Sequence, residues 1–498
     1  MTDPDPERGR TAPREERPVT RAQQTGGDAW PRRDLSMLLG ITIAGAAVRL
    51  FRIEQWSLSA AEAATWRAAT TPLASDSAAG AHSLPFYVLR WLFDAGVLAT
   101  QREDWLRLPF AFVGILAVPL AAAAAGRLNT RSTALLTAGL LALHPWHVAV
   151  SQTATTPGIA LFFAMAAVAL APRSARWWRW LGAACCFLLA VACDPFAWLL
   201  VVVVAVIVSG SSWQAASRPG RCALAAACTL LLVASVSWTV RGPSCADAET
   251  GASWLFVALL HAGLPVALCA VAGLLFLRPL PWRLGVAIVV PGFVLGSGAI
   301  AGKPADPDAL VLVLPPLLLL AASAAERCLL LARSSASSAG TGARAIGALV
   351  GLGLAASLAA DTFLYATEAQ GGRAPWREAA RVTLGGPGES TELLVAAGVG
   401  ADILTCYLRP DHWAERTRDP HPGRVVLQLD PENLRTAIDG LRTRAAAGRV
   451  MLVLRCDEMA LVRTKAEEPL RSFELVSVLP CPLERRDETL YVYRRVAE

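Results

Sequence analysis

The residues best placed for chemistry fall in a few short polar and aromatic stretches. One reads Trp56-Ser57-Leu58-Ser59-Ala60-Ala61-Glu62-Ala63-Ala64-Thr65-Trp66, and a second His82-Ser83-Leu84-Pro85-Phe86-Tyr87. A third reads His144-Pro145-Trp146-His147-Val148-Ala149-Val150-Ser151-Gln152-Thr153. Glu62 is a carboxylate able to take a proton, or a solvated helix residue. His144 and His147 stand three apart, a spacing that suits a metal pair or a polar rim near a helix end. Arg107 can neutralise an anion or snorkel to an interface. Asp194, ahead of Pro195, and the run Lys303-Pro304-Ala305-Asp306-Pro307-Asp308 place charged groups in short turns. The eleven cysteines contain no CxxC pair and no metal-ligand spacing. Eight of them lie in or beside apolar stretches and read as small hydrophobes.

These residues must be positioned by an unusually apolar chain. Of 498 residues, 54 % are hydrophobic and only 17 % charged, with a mean hydropathy of +0.44. Soluble domains carry about 25 % charge, so an ordinary soluble enzyme is excluded. The charges cluster at the ends. Residues 1–34 hold 7 basic and 7 acidic side chains, and 375–498 hold 18 and 19. The net charge of +6 comes without a basic stripe interleaved with aromatics, so no nucleic-acid partner is expected. Segment 1–34, rich in Pro, Arg, Glu and Gly, reads as a disordered cytoplasmic tail. The first apolar run starts at Leu35, behind Arg32 and Arg33, and reads as an uncleaved span rather than a signal peptide.

A crossing helix needs about 20 mostly apolar residues. Spans are predicted near 35–53, 106–126, 132–150, 156–172, 177–193, 195–210, 222–240, 253–277, 284–301, 309–332 and 345–365. The stretch 84–100 starts at Pro85 and carries Arg90 and Asp94, and we read it as non-crossing. With eleven spans, one set of loops holds twelve Arg residues and the other only Arg241 and Lys303. The basic set belongs inside. The N-tail then lies in the cytoplasm, residues 54–105 form a long outer loop with interfacial helices, and the C-terminal part lies outside. Fifty outer residues make a roof over a lipid-facing cavity.

After a linker at 366–374 the pattern changes. Residues 375–498 predict alternating helices and strands, with Asp430-Pro431 opening a helix and an antiparallel pair at the end. The fold class is thus an α-helical polytopic membrane protein, residues 35–365, followed by a soluble α/β domain covered on both sheet faces. Gly385-Gly386-Pro387-Gly388 marks a loop, not a phosphate cradle.

The ordered set of stretches resembles the polytopic GT-C glycosyltransferases, most nearly the protein O-mannosyltransferase and aminoarabinose transferase group. The resemblance rests on Arg49 and Arg52, Ser57-Leu58, Glu62-Ala63, His82 with Pro85-Phe86-Tyr87, and Leu106-Arg107-Leu108-Pro109. It continues through Arg127 and Arg131, His144-Pro145, Val150-Ser151-Gln152, Asp194-Pro195-Phe196, Lys303-Pro304 to Leu314-Pro315, and Trp376-Arg377-Glu378-Ala379-Ala380. It spans roughly 35–385. Several family positions depart. The catalytic Asp of the family falls on Ala61, the Glu and Arg after Ser-Gln on Thr153 and Thr155, and a late Arg on Asp308.

The resemblance implies transfer of a sugar from a polyprenyl-phosphate donor to an extracytoplasmic acceptor, a lipid, glycan or protein, at the cytoplasmic (inner) membrane of a cell envelope. A carboxylate would take the acceptor proton. Cations, with or without a divalent metal ion, would stabilise the leaving phosphate. It implies Glu62 as the catalytic residue, and His82, Arg107, Gln152, Asp194 and Lys303 as substrate contacts. The lost positions leave open a catalytically silent relative that binds a lipid-linked sugar or glycan. A transporter is a third reading, without the paired repeats transporters usually show. The topology is checked by cysteine labelling in intact cells. Ser83→Cys should react with an impermeant reagent from outside, and labelling only from the cytoplasm would overturn it.

Overall fold

The computed structural model describes residues 30–70, 84–98, 103–170, 177–194, 263–276, 311–334, most of 353–365, 373–385, most of 393–408, 424–429, 449–465 and most of 470–496, with isolated residues between. The membrane part begins with α1 (Arg32–Leu50). Arg52 follows with φ of 55°, a left-handed conformation uncommon outside glycine, and the chain leaves α1 as an irregular segment. Two short helices come next, α2 (Ala60–Thr70) and α3 (Leu84–Asp94). Then follow α4 (Glu103–Leu128), α5 (Arg131–Leu143), α6 (Pro145–Ser151), α7 (Thr156–Leu170) and α8 (Trp177–Cys193). Further along lie α9 (Leu264–Phe276) and α10 (Leu314–Ser334).

The 26 residues of α4 reach about 39 Å at 1.5 Å per residue, more than the hydrocarbon core of about 30 Å. Among the described residues, Glu103–Leu128 and Val311–Leu330 are each long and apolar enough to cross a membrane. The α5–α6 pair, bent by 62°, makes a third if it is one span. The bend has a local cause: Pro145 occupies the first turn of α6 and cannot continue the hydrogen-bond ladder of α5. Helices α1, α7, α8 and α9 fall on other predicted spans, while those at 195–210, 222–240 and 284–301 lie outside the described residues, as do parts of 253–277 and 345–365. Eleven-residue α3 is about 16 Å long, too short to cross. It buries Pro85 and Leu89 and exposes Tyr87, Val88 and Trp91.

Small residues let the apolar helices approach. Ala117, Ala121, Ala122 and Ala125 of α4 are buried, as are Ala134, Ala138 and Ala142 of α5, because helix contacts in lipid rely on close van der Waals packing. The outward faces are apolar instead, with Leu35, Met37, Leu39 and Ile43 exposed on α1, and Phe112 and Leu116 on α4.

The C-terminal part holds α11 (Trp376–Leu384), β1 (Leu393–Ala397), α12 (Ala401–Leu408), β2 (Arg424–Gln428), β3 (Arg449–Arg455), α13 (Cys456–Lys465), β4 (Phe473–Leu479), a small hairpin β5 (Pro482–Leu483) and β6 (Arg486–Asp487), and β7 (Leu490–Arg495). The five-stranded sheet runs β2-β1-β3-β7-β4. β1 pairs parallel with β2 and β3, and β7 pairs antiparallel with β3 and β4. Alternate residues point to opposite faces. Ala396, Val450, Leu452, Leu454 and Tyr493 pack with Met459 and Val462 of α13. The other face, with Val395, Ala397, Met451, Val453 and Val492, shares one core with Trp376, Ala379 and Ile403, and also with Leu58, Ala63 and Trp66 of the first loop. The sheet is therefore packed onto the membrane part through α11 and α12.

Two close approaches test this packing. A Cβ on Gly273 would lie 2.5 Å from the Leu320 backbone oxygen, so α9 would have to move off α10. One on Gly40 would meet nothing within 4 Å. Gly273→Ala should cost about 1–3 kcal/mol by overpacking, seen as a lowered melting temperature in detergent. Gly40→Ala should not lower it.

Candidate functional site

The candidate site is built where the irregular segment after α1 meets the first turn of α4. Ser59 and Glu62 open α2 as a reciprocal cap. The Glu62 N–H donates to Ser59 Oγ at 3.2 Å, and the Ser59 N–H donates to Glu62 Oε2 at 2.9 Å. This is the capping-box pattern Ser-x-x-Glu, and it aims the carboxylate back under the loop. There Arg107, one turn into α4, meets it in a fork, Nε to Oε1 at 2.7 Å and Nη2 to Oε2 at 3.0 Å. The remaining Arg107 protons go to backbone oxygens: Nη1 to Ile53 at 2.8 Å and Trp56 at 2.9 Å, and Nη2 to Ser57 at 2.9 Å. An arginine has five N–H donors, and each of these five bonds takes one. Glu62 and Arg107 are both 0 % exposed.

Two more arginines arrive from the C-terminal part. Arg373 Nη2 donates to Glu62 Oε1 at 3.4 Å, to the Gln152 oxygen at 3.2 Å and to Thr153 Oγ1 at 2.9 Å. Its guanidinium lies over the Trp56 ring, 5.4 Å from the centroid. Arg377 Nη2 donates to the Glu54 oxygen at 2.7 Å and the Trp56 oxygen at 3.1 Å, and Nη1 to the Gln55 oxygen at 3.2 Å. The same guanidinium is paired with Glu103, and the Arg377 N–H donates to Ser57 Oγ at 3.1 Å. Tyr407 of α12 accepts the Leu58 N–H at 2.7 Å.

Electrostatics follow from this geometry. Burial alone would raise the Glu62 carboxyl, but the nearby charges of Arg107 and Arg373 and the bonds from Arg107 and Ser59 outweigh it, holding the group at about 2. Burial pushes the Tyr407 phenol well above its ordinary value, and the Glu103 charge adds to that. Burial lowers Arg373, partly offset by Glu62. Glu62 is thus an ionised carboxylate with both oxygens engaged, since the Ala154 N–H also donates to Oε1 at 3.3 Å. To accept a proton it would have to release Arg107. The geometry makes it a clamp.

The other sequence candidates separate. Gln152 is buried with its amide committed to the end of α1, donating to the oxygens of Val48, Arg49 and Phe51 at 3.2, 2.9 and 3.3 Å. Its own carbonyl receives Arg373, so it joins the Glu62 cluster through the backbone. Asp194, 5 % exposed, accepts from Thr156 Oγ1 at 3.1 Å and ties the end of α8 to the start of α7. His147 contacts Arg49, whose guanidinium also donates to the oxygens of Ala142 at 2.9 Å and Leu141 at 3.1 Å, the open carbonyl end of α5. His82, Lys303, Asp306 and Asp308 lie outside the described residues. No group of three or more His, Cys, Asp or Glu able to hold a metal ion occurs among the described residues. Sequence reasoning missed Glu103, Arg373 and Tyr407 altogether. Arg377 was read only as part of a motif. The Ser59-x-x-Glu62 pattern was the one local signal for the cluster.

No family model and no curated protein matches the chain. Solved structures do. ArnT from Cupriavidus metallidurans bound to undecaprenyl phosphate is 15 % identical, with a TM-score of 0.51 over 93 % of this chain and 98 % of that one. The archaeal oligosaccharyltransferase AglB from Archaeoglobus fulgidus, in complex with an inhibitory peptide and a dolichol-phosphate, is 11 % identical, with a TM-score of 0.52 over 89 % and 72 %. The chain therefore shares the fold of these two structures.

Removing one partner of a buried pair leaves the other uncompensated, at about 3–5 kcal/mol. Glu62→Gln should therefore lower the melting temperature strongly at pH 7, and adding Arg107→Met should lower it further, because it also strips the donors from the Ile53, Trp56 and Ser57 oxygens. The pH dependence has a defined sign. With the folded carboxyl at about 2 and its ordinary value at 4.5, the stabilisation is complete above pH 4.5 and is lost as pH falls toward 2. It amounts to about 3 kcal/mol. Glu62→Gln should flatten this acid limb in thermal melts.

Proposed function

We propose that the protein acts at the outer face of the cytoplasmic membrane on a sugar carried by a polyprenyl phosphate, and hands that sugar to an acceptor on the same face. The observation that carries this reading is the shared architecture. The chain superposes over nine-tenths of its length on a structure bound to undecaprenyl phosphate, and a second similar structure holds a dolichol-phosphate and a peptide. The described segments of the first loop, 54–70 and 84–98, and the sheet packed against the first of them are where this reading puts the meeting of lipid phosphate and acceptor. The N-tail then lies inside and the C-terminal domain outside.

Within this reading Glu62 and Arg107 shape the floor of the loop, and Gln152 joins them from the α6–α7 turn. His82, Asp194 and Lys303 are the proposed contacts for the donor. Group transfer needs a base for the acceptor proton. The base role expected for Glu62 would require it to leave the Arg107 fork.

Two observations favour a second reading, a silent relative that binds the donor without transferring its sugar. Ala61 stands directly before Glu62, and both Glu62 oxygens are already bonded. Two measurements separate the readings. Undecaprenyl phosphate in detergent or nanodiscs should raise the melting temperature of the purified protein under either one. Membranes carrying the protein should move label from a polyprenyl-phosphate sugar to an acceptor only under the first. Failure of undecaprenyl phosphate to stabilise the protein would sink both.

A further inference from the structure

Arg373 stands apart from the other buried cations. It is 311 positions from Glu62 in the chain and precedes α11 in the segment that leads into the C-terminal sheet, yet it is only 5 % exposed. Its donors reach two separate pieces of the membrane part. One is the first loop, through Glu62 Oε1 and, at 3.5 Å, the Ser57 oxygen. The other is the α6–α7 turn, through the Gln152 oxygen and Thr153 Oγ1. From behind, Arg373 is held by the C-terminal unit, where Cys481 Sγ donates to its carbonyl oxygen at 3.4 Å.

Charge balance makes this placement conditional. Glu62 already has a bidentate partner in Arg107, so Arg373 is a second cation on one carboxylate. A buried guanidinium is tolerated only where its protons all find acceptors. For Arg373 those acceptors are assembled from the loop and the turn together, and they are within reach only when the C-terminal unit is seated. The seating contacts lie alongside: Arg377 on the oxygens of Glu54, Gln55 and Trp56, Tyr407 on Leu58, and Asp402 paired with Arg67 of α2.

We propose that Arg373 is a positioning residue through which docking of the C-terminal domain sets the geometry of the outer-face site. When the domain is seated, the guanidinium locks the Ser57–Glu62 loop to the Gln152–Thr153 turn. When the domain lifts, both segments lose their common anchor at once. The loop that roofs the site is then under the control of a domain remote in sequence, and an acceptor that shifts the domain also shifts the site. This last consequence rests on the function proposed above, while the mechanical coupling does not.

Hydrogen exchange on the full-length protein in nanodiscs tests the coupling. Arg373→Met should raise exchange about tenfold in peptides covering 53–66 and 150–156 and leave β1 and β3 as protected as before. Arg373→Lys, which keeps the charge but not the planar fork, should restore part of the protection. In a Glu62→Gln background the Arg373→Met change should add little. Tyr407→Phe removes the acceptor for the Leu58 N–H while leaving the Arg373 hydrogen bonds in place, and it should loosen the same two segments, which keeps the test open if Arg373→Met does not fold. Unchanged exchange in both segments, or loosening spread evenly through the sheet, overturns the proposal. Titration with undecaprenyl phosphate is the second arm. Wild-type binding weakened about tenfold by Arg373→Met supports the link to the site, and equal binding by both proteins overturns that link. No binding by the wild type overturns the proposed function and leaves the exchange result to decide the coupling.

Discussion

Buried backbone polar groups must all find partners, and the region between α1 and α2 is arranged around that constraint. Residues 53–58 form neither helix nor strand, so their carbonyls have no ladder to enter. Three arginines supply the donors. Arg107 takes Ile53, Trp56 and Ser57, Arg377 takes Glu54, Gln55 and Trp56, and Arg373 reaches Ser57. The planar fork of arginine suits the task because it offers several protons in fixed directions. Glu62 and Glu103 then balance part of the charge that those arginines bring.

The same logic recurs at the helix ends nearby. The last carbonyls of an α-helix lack intrahelical partners. At the end of α1 they receive the Gln152 amide, and at the end of α5 they receive Arg49. Polar residues that suggest binding or catalysis when read singly are, in the folded chain, the groups that permit irregular backbone and broken helices beneath the loop. A buried ion pair of this kind adds little net stability compared with apolar packing, but it is severe when half of it is lost. The cluster therefore specifies one arrangement of loop, turn and sheet more than it strengthens the fold.

Legibility in the sequence followed the range of the interactions. Local features could be read. The apolar runs at 106–126 and 309–332 match α4 and α10, and the strands around 450–454 and 473–479 carry the expected apolar residues, whereas the run read as one span over 132–150 is broken ahead of Pro145. Glu62 stood out because carboxylates are rare in the stretch, and its role in capping α2 was written in Ser59 three positions earlier. Its partners could not be found this way. Arg107 is 45 positions away and Arg373 311, and neither has a local pattern that points to Glu62. The strand order was hidden for a related reason. β7, last in the chain, inserts between β3 and β4, and alternation of apolar residues is the same whichever neighbour a strand has.

The amino-acid sequence by itself determined that several stretches of this chain are apolar enough to cross a membrane, since runs this poor in charge are poorly solvated. It also determined that a soluble run of strands and helices follows, since the hydrophobic period and the charge density both change near residue 375. Only the tertiary structure decided which cations face which carbonyls, that Glu62 is a clamp with both oxygens occupied, and that Arg373, just ahead of α11, reaches the same carboxylate. Hydrophobic burial acts on composition and period and leaves its mark along the chain. Hydrogen bonds to a buried carboxylate depend on direction and distance in space, and those are set only when distant segments close on one another.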